Sequence, residues 1–397
     1  MGAPAASENR DGGIPPWFPH ALLDRDCDSG TFSDGLPSRW GRIYGWQYED
    51  ALTPDWWGQE AMTRWGSWPE KIADVTLLAH TDRSVVLDLD GQWIAYLFPL
   101  QTGQDVSTLA RHQPWAKALE GAGALLPVGG QYDEHGDAVV IYSHHAVAEL
   151  DDVIANPSRV ASSVGRLHAA LVDHATPNTE RRWNDRLKAI EDGLKTTTLW
   201  RAPHTKHVVG LPNLHLNLEA TVLQDDEMLW IPQPRPLVDH LLAPSERLPG
   251  VASMARLEQR LAQMERFATM ADRAAFYAGW GAHVPSGWTS PNTVSTVNGG
   301  VWIWRYEAIL LMLAEARAYG LKGQATQCDR WLLDVSRIQA RLGELRTVFA
   351  TRKGGVYAAV AAAIIGSGPL QWPFVAGSLL VAMAAHALYI KRVPPPY

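Results

Sequence analysis

Three histidines are the first residues in this chain whose type and spacing could do chemistry. His204 and His207 flank a Thr-Lys pair, and His215 follows close behind. Neutral imidazole suits zinc or copper, and Glu219 and Asp225 are near enough in sequence to add a carboxylate. The simpler reading is that a polar loop between elements has collected histidines. It is preferred, so no metal and no cofactor are expected. Asp225, Asp226 and Glu227 read as a charged hairpin turn. Asp151 and Asp152 read as the start of a helix, where carboxylates favour the N-terminal end. His144 and His145 follow a strand and read as solvent-exposed. No Ser-His-Asp or Cys-His set has a recognisable local context, and there is neither a P-loop lysine nor a dinucleotide-binding glycine fingerprint.

Bulk properties narrow the classes further. The chain has 397 residues and a formal net charge of −7, with no Lys/Arg run that would make a basic face, so nucleic acid is not an expected partner. Its two cysteines, Cys27 and Cys328, make no disulfide framework and fit a reducing compartment. Residues 1–16 lack the basic start and apolar core of a signal peptide and read as a disordered arm.

The elements that must position any site follow from periodicity. Residues 17–71 are crowded with tryptophan, including Trp40, Trp46, Trp56 and Trp57, among Gly, Pro and Asp. This segment reads as a wrap packed on the main domain, with a docking surface for a partner protein as the alternative. Short β-rich runs follow at 75–79, 84–89 and 93–98, and Asp90 and Gly91 signal a hairpin. A helix is expected at about 104–121, then a strand pair at 123–128 and 138–142. Helices are expected at about 158–174 and 180–194, and a hairpin at 220–223 and 228–231. Beyond residue 250 the chain reads as all-helical. Val251 to Ala271 keeps one apolar face, another apolar helix spans 301–319 and stops at Gly320, and a last one spans 323–348.

This order, together with local stretches, resembles the aminoglycoside phosphotransferase and choline-kinase-like branch of the kinase fold. Residues 163–171 resemble the helix before the catalytic loop. Asn213 to Ile231 resembles the catalytic loop and metal-binding strand, and Pro234 to Asp239 resembles the segment beyond that strand. The likeness covers roughly 72–320. It implies an α+β, two-lobed fold, with a small β-rich lobe at 72–145 and a helical lobe at 146–350. It also implies a place for each catalytic group, and those places are filled by the wrong residues. The catalytic Asp position holds Asn213, and an amide cannot take a proton from the attacking hydroxyl. The metal-binding Asp falls on Pro232 or Gln233, neither a good ligand for a hard cation. Asn217 stands near the position of the metal-binding Asn, but the loop is longer. The strand at 93–98 has no Lys, and the loop at 79–83 has no Gly to admit phosphate. His215 belongs to this degenerate site as well.

The last feature is an uncharged run. Residues 354–390 contain no Asp, Glu, Lys or Arg and lie between the basic pairs Arg352, Lys353 and Lys391, Arg392. Such a run is expected to enter a bilayer, with Trp372, Phe374, Leu379, Leu380 and Ile390 facing lipid. The break at Gly366 to Pro369 allows either one span or a two-armed hairpin. Basic residues at both ends favour the hairpin, with the main domain cytoplasmic. The sequence therefore reads as a membrane-anchored, catalytically inactive kinase-like scaffold that binds other proteins. The alternatives are a structural subunit of a membrane complex and an atypical small-molecule phosphotransferase using Glu219, Asp225 or Asp239.

Overall fold

The computed structural model describes residues 18–23, 34–59, 63–81, 84–102, 115–146, 148–197, 201, 205–224, 227–366 and 368–393. His204, Asp225 and most of the helix expected over 104–121 lie outside them. The first half holds strands β1 (Leu36–Ser38) and β2 (Gly41–Gly45), the one-turn helix α1 (Pro54–Trp57), and strands β3 (Thr63–Gly66), β4 (Val75–His80), β5 (Val85–Leu89), β6 (Trp93–Leu97) and β7 (Leu100–Gln101). After them come the short helix α2 (Ala116–Leu119) and strands β8 (Gly129–Asp133) and β9 (Gly136–Ser143). Six of these strands form one antiparallel sheet in the order β3-β8-β9-β6-β5-β4.

Asp90 and Gly91 turn the chain between β5 and β6 with φ of 55° and 63°. Both central residues of a tight hairpin turn need positive φ, which Asp and Gly tolerate. The strand expected at 123–128 begins later, at Gly129. Residues 124 and 125 are drawn away from the sheet: Leu125 N–H donates to the Trp230 carbonyl at 2.8 Å.

Side chains alternate across a strand, and here both faces of the sheet are covered. Val85, Leu87, Leu89, Ala95, Leu97, Val139 and Ile141 face one cluster, together with Tyr48, Ala51 and Trp57 from the tryptophan-rich segment. Val86, Ile94, Tyr96, Val140 and Tyr142 face a second cluster on the opposite side. The tryptophan-rich segment is thus a cover for the outer face of the sheet. Trp57 is fully buried, whereas Trp40, Trp46 and Trp56 are half-buried. The Trp57 indole N–H donates to the Ala51 carbonyl at 3.0 Å, and Trp46 donates to the Phe98 carbonyl at 3.0 Å while stacking on Trp56. Trp40 reaches the helical lobe, where its indole donates to the Gly193 carbonyl at 3.3 Å.

The helical part starts with α3 (Leu150–Ile154), α4 (Pro157–Ala170) and α5 (Glu180–Leu194). The hairpin β10 (Thr221–Gln224) and β11 (Glu227–Trp230) interrupts it, and α6 (Leu237–Leu242), α7 (Gly250–Gln263), α8 (Met270–Gly281) and α9 (Gly300–Ala318) follow. The apolar face expected from Val251 to Ala271 is split in two. The chain turns at Glu265, φ 58°, and α8 restarts behind a capping box in which Thr269 and Asp272 bond each other's backbone N–H. The architecture is therefore two-lobed, with a β-rich lobe, a larger helical lobe and two apolar helices beyond it.

Those last helices are α10 (Lys322–Ile365) and α11 (Gln371–Arg392). The helix expected over 323–348 does not end there. It runs on through Gly354 and Gly355, because two glycines weaken a helix by only about 1 kcal/mol each. Gly355 serves the packing: a Cβ there would lie 2.8 Å from the Ser378 carbonyl of α11. The two helices form an antiparallel hairpin, with Gln371 Nε2 donating to the Ala362 and Ala363 carbonyls at the tip. Ala359, Ala382 and Ala385 are buried between the helices, while Trp372, Phe374, Leu379, Leu380 and Ile390 are exposed.

Candidate functional site

The loop before β10 and the segment after β11 bring together the residues singled out in the sequence. Asn213 Oδ1 accepts from the backbone N–H of His215 at 3.2 Å, a local turn that ties up the amide oxygen. His215 sits at φ 45°, in the left-handed region. Asn217 makes the same kind of turn with Glu219 N–H, at 3.3 Å. Gln233 is buried, and its amide turns back on its own strand, donating to the Ile231 carbonyl at 3.4 Å. Its backbone N–H donates to the Leu214 carbonyl, which joins the two segments.

Behind them lies a charged cluster that the residue pattern alone did not disclose. The Asp239 carboxylate accepts from Arg186 Nη2 at 2.7 Å and Arg235 Nη2 at 2.7 Å, with Arg256 at 3.4 Å. Glu307 accepts from Arg186 Nε at 2.9 Å and from Arg256 Nη2 at 3.0 Å. Burial alone would raise the Asp239 carboxyl, but the three guanidiniums hold it well below the ordinary carboxylate range. His215 responds in the opposite sense. Burial, offset only in part by Asp239 and reinforced by the arginines, pushes its imidazole well below the usual value, so it stays neutral. Its Nδ1 is buried with no hydrogen-bond partner. A third carboxylate, Glu258 of α7, is held by Arg305 at 2.7 Å and by Arg273, with Tyr277 donating at 2.8 Å. A faint signal for these groups was present: Arg305 and Glu307 interrupt the apolar run over 300–314, and Glu307 keeps the three/four spacing of Ile303, Leu310 and Ala314.

Two cavities border the site. One, of about 90 Å³, is lined by Asn213, His215, Asp239, Arg256 and Met312 among others. At about 30 Å³ per water it holds only a few solvent molecules. The other, of about 390 Å³, lies between the edge of the sheet and the helical lobe and is bordered by His80, Gln101, His135, Gln233, Arg235 and His240. Among its described lining residues, Arg235 is the only Lys or Arg, and it is already engaged by Asp239. Away from that cavity, the sheet and the β10–β11 hairpin are in direct contact. Tyr96, Phe98 and Tyr142 from the sheet pack on Ala220, Val222 and Ile231, all buried. The Tyr142 hydroxyl donates to the Pro232 carbonyl at 3.4 Å.

His207 and His215 are not brought together, and His204 lies outside the described residues. His207 borders a small cavity with Trp280 and Trp288, whereas His215 faces Asp239 and Arg256. Among the described residues no three His, Cys, Asp or Glu side chains are grouped so as to hold a metal ion. Asp239, weighed above as a stand-in ligand, faces three arginines that would repel a cation. Glu219 stands in the loop after Asn217 with no second carboxylate beside it in that loop.

No protein-family model matches the sequence, and no curated protein matches it. Solved structures that resemble the chain include a glucosamine kinase in complex with glucosamine, ADP and inorganic phosphate. It is 11% identical, with 66% of this chain and 81% of that one covered and a TM-score of 0.43. A fructosamine-3-kinase from Thermobifida fusca is 12% identical over 66% of this chain and 94% of its own, with a TM-score of 0.33. The GDP complex of wild-type aminoglycoside 2'-phosphotransferase-IIIa is 13% identical over 67% and 93%, with a TM-score of 0.33.

Proposed function

We propose that this chain is a membrane-held, kinase-like scaffold that works by binding other proteins and transfers no phosphate. The observation that carries the reading is the apolar contact between the sheet and the β10–β11 hairpin. Where a nucleotide base would need a slot beside β10 and β11, Tyr96, Phe98 and Tyr142 are packed against Val222 and Ile231. Opening that contact would expose several aromatic side chains, each worth roughly 2–3 kcal/mol when buried. The neighbouring residues agree. Phosphoryl transfer needs a proton acceptor, metal ligands and free cations. Asn213 supplies no acceptor, Gln233 no carboxylate, and Arg235 no uncommitted charge.

The test uses the full-length chain in mild detergent. Titration with magnesium-ATP is expected to give no saturable heat, and radiolabelled ATP no transfer to sugars, aminoglycosides or the protein itself. The double variant Asn213→Asp/Gln233→Asp is expected to remain inert, because restoring two carboxylates does not open the slot. Transfer that disappears when either residue is replaced by Ala would overturn the reading. It would favour the alternative of an atypical phosphotransferase using the cavity of about 390 Å³ beside Gln233. For the binding role, stoichiometric protein partners are expected to co-purify from membranes, and a solitary monodisperse chain would count against it.

A further inference from the structure

Basic charge is segregated in this molecule. From residue 345 onward there is no Asp or Glu, but there are five basic residues: Arg346, Arg352, Lys353, Lys391 and Arg392. Taking these five from the chain's formal −7 leaves the preceding 344 residues at −12. The hairpin gathers the five within about 10 Å of its base, Arg346 opposite Lys391 and Arg392, and Arg352 and Lys353 about two turns further along. Arg352 Nη1 lies 3.1 Å from His386 Nδ1, and the rings of Phe349 and Tyr389 are 5.6 Å apart, so the base of α10 is matched to the end of α11. The Arg352 guanidinium lies over both rings, at 4.9 and 5.8 Å, and the Lys353 ammonium lies 4.7 Å from the Phe349 centroid. Lys353, Lys391 and Arg392 are exposed or nearly so. No ion pair to a carboxylate holds any of the five among the described residues.

The neighbouring surface is apolar. Ile390 and Leu388 are exposed between the two basic groups, Met383 is exposed just beyond Lys353, and Trp372 is exposed near the far end. From Tyr389 to Trp372 the helix rises about 26 Å, close to the ~30 Å of a hydrocarbon core. Aromatic rings at both ends of such a length belong at the two interfaces. The basic cluster then lies at the depth of lipid phosphates, and unpaired cations beside rings and an apolar wall fit an anionic headgroup with its acyl chains alongside.

We propose that the base of the α10–α11 hairpin is a binding site for anionic phospholipid headgroups, with Arg352, Lys353, Lys391 and Arg392 as its cations. The proposal rests on the hairpin being embedded in a membrane, so the experiment separates the two. The full-length chain is first mixed with pure phosphatidylcholine vesicles. Co-flotation that survives high salt is expected, and its failure would overturn the membrane reading and this proposal with it. Native mass spectrometry from detergent with equimolar phosphatidylglycerol and phosphatidylcholine then reads headgroup preference. Retained phosphatidylglycerol is expected to exceed phosphatidylcholine at least tenfold. The fourfold variant Arg352→Gln/Lys353→Gln/Lys391→Gln/Arg392→Gln is expected to lose that preference while still floating with neutral vesicles. The milder pair Lys391→Gln/Arg392→Gln, at the open end of α11, is expected to lose part of it with unchanged circular dichroism. Equal retention of the two lipids by the native chain, or full preference in the fourfold variant, would overturn the headgroup site alone. Displacement of bound lipid by millimolar inorganic phosphate would also overturn it, because the source would then be free phosphate.

Discussion

Asp239 and Glu307 share Arg186 and Arg256, and Arg235 caps the group, so five charges are held inside the helical lobe by one another. Removing one partner from such a set leaves an uncompensated buried charge, which typically costs about 3–5 kcal/mol. Glu307→Leu is therefore expected to destabilise the chain by roughly that amount, read as a lower urea midpoint for loss of tryptophan fluorescence. Two buried histidines set the pH dependence. His168 accepts from the Trp280 indole at 3.0 Å, and burial lowers its pKa to about 3. His215 is likewise held below its ordinary value. The unfolded chain takes up protons at these residues below about pH 6.5, and the folded chain does not, so stability falls as pH drops. The slope is expected to be about 1.4 kcal/mol per pH unit for each histidine, from about pH 6.5 downward. Urea midpoints at several pH values measure it, and His168→Gln should flatten it, because an amide oxygen still accepts from Trp280 but does not titrate.

At the scale of elements, the hairpin of α10 and α11 depends on a close approach at Gly355, where a Cβ would meet the Ser378 carbonyl. Gly355→Leu is expected to push the helices apart. Spin labels at positions 352 and 386, on facing turns of the two helices, are expected to lie farther apart in the Gly355→Leu background than in the native one, as read by double electron–electron resonance. The strands were legible in the sequence because short β-rich runs and their turns are local signals. Residues 84–89 and 93–98 are short runs rich in Val, Leu, Ile and aromatic residues, as strands covered on both faces require, and Asp90 and Gly91 carry their own turn chemistry. The β10–β11 hairpin was legible for the same reason. Other features depend on residues far apart and left weaker marks. Asp239 meets Arg186 across 53 positions, and Glu307 meets Arg186 across 121. The tryptophan-rich segment has no period at all, so only its packing on the sheet reveals that Trp57 is core. The end of α10 differs from the expectation because Gly354 and Gly355 together suggest a stop, whereas Gly355 serves the contact with α11. At the candidate site, the substitutions at Asn213 and Gln233 were visible as residue types. The filled contact between Tyr142 and Ile231 was not, since ordinary β-strand residues compose it.

At the scale of the molecule, the two apolar helices are long enough to enter a bilayer, with mean hydropathies of 1.3 and 1.7 over their most apolar windows. A hairpin returns the chain to the side it came from. Single cysteines placed at position 10 and at position 395, in a background with Cys27 and Cys328 replaced, are therefore expected to react with a membrane-impermeant maleimide from the same face. Labelling from opposite faces would mean a single span. The helix α10 carries a mechanical consequence. Its first half buries Cys328, Val335, Leu342 and Leu345 in the core of the helical lobe, and its last turns line the apolar hairpin. Tyr389 and Val393 of the returning segment pack on that same core. Domain and anchor thus share one rod of 44 residues, about 66 Å long, with no tether between them. With the hairpin embedded as proposed, the lobe would not swivel freely over the bilayer, and any tilt of the anchor would become a displacement of the lobe. A tilt of about 5° acting over the ~47 Å between Lys322 and Lys353 moves the far end by roughly 4 Å. Bilayer thickness, which sets tilt, would thereby position whatever the lobe holds, as a lever positions its load.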